Sequence, residues 1–357
     1  MTQLTDQPGE EEPLSKLLEL MDDGLFYELG LMLPPVEVDE DSSLAPTAVQ
    51  IWINDMPLPV QTGLAVGEML VNDTPDRLKL IGITQARAAV NPANGNPSSI
   101  VEASDVNIKA VKDARLTNWG PAGYIVLVLS AAVRRYAGAL WTIDSTDAAL
   151  FLLREAFEPL IRAFEQRFDP NRRLLTPILR NLLDEEISVR NLSAIVESML
   201  AIDSVSSMND RELIAFPPAA GNVIISDRVS SVSQLQINDW VTAVRIRLAR
   251  YISHKHTRGQ STLIVYLLDP KIEEELEATS SSSAYSLFSP EGHLRLFRAI
   301  NAKIATPDAR AVILTTKTVR RTLRDLISKD LPNVTVLCYQ ELSPEMSIQP
   351  VARITWC

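Results

Sequence analysis

Histidine, cysteine and glycine are scarce in this chain of 357 residues: three, two and thirteen. His254 and His256 stand two apart and would share a face on a strand, but no third ligand of matching type is near, so no metal centre is expected. His293 stands alone, and nothing in the sequence assembles a histidine-based triad around it. Cys338 and Cys357 are too few for a secreted disulfide framework and lack metal-ligand spacing. Free thiols are the expectation. The glycines include no G-x-x-x-x-G-K-[ST] loop and no G-x-G-x-x-G after a strand, the patterns that let a backbone cradle phosphate. G-x-S-x-G and H-E-x-x-H are missing as well. Long hydrophobic runs are missing too. The longest, residues 124–133, is closed by Arg134 and Arg135 and falls short of the ~20 residues a bilayer-spanning helix needs. The first twelve residues have no apolar core, so no signal peptide is read there. No catalytic residue, cofactor or metal is expected, and the chain reads as no enzyme.

What is present is an ordinary globular composition, 46% hydrophobic and 22% charged. That suits two or three compact units with full cores. The formal net charge is −11 and sits at one end, because residues 1–41 carry twelve acids and one base, Lys16. An acidic head speaks against nucleic acid or an anionic membrane surface there. Lys317, Arg320, Arg321, Arg324 and Lys329 form a basic stripe further on. No aromatic side chains interleave with them, as a single-strand platform would require. Glu273, Glu274 and Glu275 read as a solvated helix face.

Along the chain, residues 1–13 read as a linker and 14–32 as a helix with an apolar stripe, ended by Gly30 and then Pro34 and Pro35. Residues 49–53 alternate as a strand. Asn54 and Asp55 supply a turn, and 58–64 offer a hairpin partner. Residues 72–122, rich in Asn, Pro and Gly, read as an inserted unit with a loop at 91–97. Thr176 before Pro177 reads as an N-cap, and Asn191 as a second one, each opening a helix with i, i+3, i+4 apolar spacing. The second helix carries no Lys or Arg, which speaks against DNA recognition. After Gly259 strands and helices alternate: strands at 262–268, 311–314, 334–339 and 351–356, helices at 289–304 and 317–328. Residues 279–283 read as a loop. This order implies parallel pairing with right-handed crossovers. The fold class expected is mixed α/β, with a mainly helical middle and a C-terminal α/β sandwich whose sheet is partly parallel.

Three stretches resemble a known family. Residues 179–200 read L-R-N-L-L-D-E-E-I-S-V-R-N-L-S-A-I-V-E-S-M-L. Residues 336–345 read V-L-C-Y-Q-E-L-S-P-E, with Ile348, Gln349 and Pro350 following. Residues 28–36 read E-L-G-L-M-L-P-P-V. In this order and at these separations they are similar to the type III secretion export gate family, its virulence branch more than its flagellar one. The resemblance implies the family's C-terminal half, without the membrane helices of full-length members. It implies a linker over 1–13 and four subdomains: 14–71 with 123–144, an insert at 72–122, a helical 145–256 and an α/β 257–357. It further implies a nonameric ring of copies at the cytoplasmic face of the bacterial inner membrane. That ring docks secretion chaperones with their substrates, a gatekeeper protein and the stalk of the export ATPase. Asn91, Pro92, Ala93, Asn94 and Gly95 match a chaperone-binding motif of the flagellar branch. The acidic and aromatic positions of that motif are Asn91 and Asn94 here, which implies docking elsewhere along the cleft or by different chemistry. Arg172, Arg173, Arg180, Asp184, Glu185, Glu186 and Arg190 read as exposed charge around a helix pair and are candidates for contact between ring neighbours.

Overall fold

The computed structural model describes residues 13–168, 174–201, 234–257, 259–281, 289–304 and 311–356. Residues 1–12 of the expected linker, Arg172, Arg173, Cys357 and the loop residues 282–283 lie outside them. The chain divides into two compact units, one of residues 1–136, 260–339 and 345–357, the other of 137–259 and 340–344.

The first unit begins with α1, Leu14–Leu29, which buries Leu14, Met21, Leu25 and Leu29 along one stripe. Gly30 ends it at φ 83°, in the left-handed region that glycine enters freely. β1 (Ala48–Val49), β2 (Trp52–Ile53), β3 (Met56–Pro57) and β4 (Gln61–Thr62) follow. β2 and β3 form a tight hairpin whose turn residues, Asn54 and Asp55, both have positive φ. β4 pairs back on β1. The predicted strand at 49–53 is thus two short pieces; its hairpin partner is Met56–Pro57, before the expected 58–64, of which only Gln61–Thr62 is strand.

Residues 68–119 build a four-stranded antiparallel sheet. Its members are β5 (Glu68–Val71), β6 (Ala86–Val90), β7 (Pro97–Glu102) and β8 (Asn118–Trp119), in the order β6-β7-β5-β8. α2 (Pro75–Leu78) lies between β5 and β6, and α3 (Asp105–Asp113) between β7 and β8. Met69, Val71, Leu78, Ile83, Val101 and Val111 form its core. The sheet takes in β5, which precedes residue 72. α4, Pro121–Arg135, packs on α1, where Arg134 grips Glu28 at 2.8 Å.

The second unit is helical: α5 (Ala137–Leu140), α6 (Ile143–Arg167), α7 (Leu175–Asp184), α8 (Leu192–Ala201), α9 (Gln234–Arg247) and α10 (Ala249–Thr257). Residues 137–144, expected with the first subdomain, belong here. α6 breaks at Phe157, whose φ/ψ of −135° and 48° leave the helix two residues before Pro159. A proline ring clashes with the carbonyl four residues back and forces such a break. α7 buries Ile178, Leu179, Leu182 and Leu183 completely. Thr176 is not its cap. The helix starts one residue earlier, and the Thr176 hydroxyl lies buried 2.9 Å from that of Thr146. Asn191 does cap α8, its Oδ1 accepting the Ala194 N–H at 3.3 Å.

The chain returns to the first unit through β9 (Thr262–Leu268), α11 (Pro270–Ser281), α12 (Pro290–Asn301), β10 (Val312–Thr315), α13 (Lys317–Ile327), β11 (Thr335–Cys338) and β12 (Ser347–Ile354). The sheet order is β11-β10-β9-β12, parallel at every pairing. The partly parallel sheet expected is fully parallel; α11 and α12 cross over from β9 to β10 and α13 from β10 to β11, while only a short turn at Tyr339–Glu341 lies between β11 and β12. Residues 279–281, expected in a loop, end α11.

Candidate functional site

The loop between β6 and β7 is a turn held by its own asparagines. Asn91 is 1% exposed, and its Oδ1 accepts the Ala93 N–H at 2.9 Å. Its carbonyl accepts the Gly95 N–H at 2.8 Å. Asn94 is exposed, and its Oδ1 accepts the Asn96 N–H at 2.9 Å. Gly95 sits at φ 73°, with Asn333 Nδ2 3.4 Å from where a Cβ would stand. Asn91 is therefore a framework residue, and Asn94 is the one exposed residue among the five matched positions. It is polar, where a docking anchor is typically a buried apolar group.

The charges around α7 and α8 do not form one exposed set. Glu185 faces inward, its Oε2 3.0 Å from Arg245 Nη1. Arg245 also holds Glu341 with two hydrogen bonds, Nε to Oε1 at 2.6 Å and Nη2 to Oε2 at 3.0 Å. All three side chains are buried. Two stretches that carried the family resemblance thus meet at one arginine. A charge out of water needs such matched partners. Glu186 pairs with Lys255 at 3.7 Å. Arg180 stays exposed, but its Nε donates to the Trp141 carbonyl at 2.7 Å. Asp184 lies against Gly138, and Arg190 is exposed.

Two other expectations change. Arg320 is buried, so the basic stripe of α13 is narrower than its spacing implied. Arg324 turns to the carbonyls of Pro332 and Val334. Glu273 is no solvated acid, because Oε1 accepts from the Thr315 hydroxyl at 2.6 Å and the Thr316 N–H at 3.3 Å. It fills the start of α13, where a helix dipole favours negative charge. His254 and His256 lie on a helix, where i and i+2 point apart. Among the described residues no cluster could hold a metal ion. The resolved pKa shifts have local causes: hydrogen bonds from Ser43 hold Asp41 low, Lys79 holds Asp76 low, and burial pushes Tyr124 up.

Sequence reasoning missed the exposed apolar faces. On α6, Phe151 and Leu152 are 66% and 56% exposed. On α1, Leu20 and Tyr27 are 56% and 66% exposed. Between these two lies Gly24, with nothing within 4 Å of where its Cβ would be. Adjacent large apolar residues on a helix already lined inward by Leu150 were the available signal.

A mixed α/β chain with an inserted antiparallel sheet, a helical unit locked around a buried arginine and a closing parallel sheet defines a modular class of protein. Within it, the chain belongs to the FHIPEP family, whose model matches residues 1–216 and 222–347. It is 24% identical over 339 residues to the low calcium response locus protein D of Yersinia pestis, covering 92% of this chain and 43% of that protein. It is 22% identical to the flagellar biosynthesis protein FlhA of Treponema pallidum, covering 98% and 46%. The chain spans under half the length of these relatives. Its fold is similar to that of the Chlamydia pneumoniae CdsV protein, with TM-score 0.80, 25% identity and coverage of 99% and 94%. It is also similar to the nonameric EPEC SctV-C, with TM-score 0.70, 18% identity and coverage of 96% and 94%. No helix among the described residues is long and apolar enough to cross a membrane.

Proposed function

We propose that this chain is the cytosol-facing docking platform of a type III secretion export gate, with no catalysis of its own. The observation that carries this reading is the family match over nearly the whole chain, with a fold shared end to end with CdsV. In this reading it works at the cytoplasmic face of the bacterial inner membrane, and the membrane part belongs to the rest of such a protein. Copies form a nonameric ring below the export channel. The ring receives chaperone-bound substrates, a gatekeeper and the ATPase stalk, and helps order substrates for export. Solved nonameric relatives support the ring, and a complex of CdsV with CdsO supports docking of a second protein.

A closed ring made head to tail needs two different surfaces on each copy. The exposed faces of α1 and α6 are two such surfaces, and Arg180 and Arg190 follow the second in sequence. The test is particle size against concentration, by mass photometry and negative-stain microscopy. Closed rings support the reading. A two-fold dimer at every concentration would overturn it.

A further inference from the structure

Two edge strands of five residues or more stand among the described residues, and they are built differently. β12 is exposed for most of its length, but it carries Pro350, Arg353 and a register break between Pro350 and Ala352. Proline, charge and a bulge are the devices that stop another strand from adding to an edge. β6 has no proline and no break in its register with β7. Its one charge, Arg87, pairs with Glu68 at 3.2 Å on the sheet's own face while staying 66% exposed, so the difference between the two edges rests on the proline and the register break. The opposite edge of the same sheet, β8, is two residues long.

The register says which backbone groups of β6 face outward. Asn91 N–H donates to the Asn96 carbonyl at 2.9 Å, so that pair is hydrogen-bonded. Bonded and non-bonded pairs alternate in an antiparallel ladder. Arg87 and Ala89 therefore face β7. Ala86, Ala88 and Val90 turn N–H and C=O to the free side. Pro97 fits this phase, since it stands opposite Val90 and has no N–H to give. Alanine is depleted in strands, yet three of the five residues of β6 are alanine. Small side chains leave the edge open to a second backbone. Val90, 58% exposed, offers one apolar contact at its end.

We propose that β6 is a docking edge for an extended segment of a partner polypeptide, which adds to the sheet as an antiparallel fifth strand. Backbone hydrogen bonds to Ala86, Ala88 and Val90 give the affinity, and an apolar partner residue lies beside Val90. The edge argument stands without the ring reading. The exclusion of a second copy rests on that reading: pairing of two β6 strands is two-fold, and a ring of nine copies cannot satisfy it throughout.

The probe is an array of ten-residue synthetic peptides, with each binder remade carrying N-methyl groups on alternate backbone nitrogens. The expected result is a peptide that slows amide exchange across 86–90 by about tenfold or more and loses at least about tenfold in affinity on N-methylation. Ala88→Pro removes one outward N–H without touching the β7 ladder and is expected to weaken the same peptide similarly. The N-methyl arm leaves the protein unaltered, so it decides the matter even where the proline variant folds poorly. Binding unaffected by N-methylation, or no binder in the array, overturns the proposal. So does a wild-type dimer that Ala88→Pro abolishes, which would make the occupant a second copy. Ring formation is scored separately, so its failure leaves the peptide result intact.

Discussion

Gly138 and Gly24 differ in what surrounds them. A Cβ on Gly138 would stand 2.2 Å from Asp184 Oδ1 and 2.7 Å from the Arg180 carbonyl, in the contact between α5 and α7. Backbone cannot step aside as a flexible side chain can. Gly138→Ala is therefore expected to destabilise by about 1–3 kcal/mol through overpacking. Gly24 lies in mid-helix with open space around it, so Gly24→Ala is expected to stabilise by about 0.5–1 kcal/mol. Urea unfolding of both variants reads the two signs. Arg245 poses a sharper case. Arg245→Met leaves two buried carboxylates without their cation, and a loss of about 3–5 kcal/mol is expected. Glu341→Gln keeps the side-chain shape and leaves Arg245 its Glu185 partner, so a smaller loss is expected in the same experiment. None of this was legible in the sequence. Arg245 is 60 residues from Glu185 and 96 from Glu341, and no periodicity reports such pairings.

Elements were legible where one local pattern outweighed the rest. The i, i+3, i+4 spacing of Ile178, Leu179, Leu182 and Leu183 marks a buried helix face, and those residues are buried. Asn54 and Asp55 mark a turn because both tolerate positive φ. Thr176 misled because a Thr-Pro pair has the form of a cap, while a hydroxyl from α6 draws the side chain inward. The inserted sheet was obscured because Ala86, Ala88, Ser98 and Ser99 do not alternate between apolar and polar. The hairpin loop bears on function. Asn94 is exposed and bonds within its own turn, whereas Asn91 shapes that turn. If the chain docks chaperones as proposed, Asn94→Ala is expected to leave both folding and that affinity unchanged, within about 0.5 kcal/mol, as for surface substitutions away from special features. Titration calorimetry with a secretion chaperone measures it, and lost binding with intact folding would show that the flagellar-type mode is kept.

At the scale of the whole molecule, the question is which surface would drive the ring assembly proposed above. Two candidates compete, the exposed charges of α7 and its flank and the apolar face of α6. Magnitudes separate them. An exposed ion pair is worth about 0–1 kcal/mol and weakens with salt. Burying a Phe or Leu side chain that was in water is worth about 1.5–3 kcal/mol and does not. Phe151 and Leu152 together outweigh Arg180 and Arg190 on this reckoning. Leu152→Asp is therefore expected to abolish rings at concentrations where the wild type forms them, at low and high salt alike. Arg180→Glu with Arg190→Glu is expected to shift assembly to higher concentration and to make it less sensitive to salt. Mass photometry across a salt series reads both. If the charge variant lost all rings while Leu152→Asp kept them, the arginines would be the driving contact and the α6 face would need another partner.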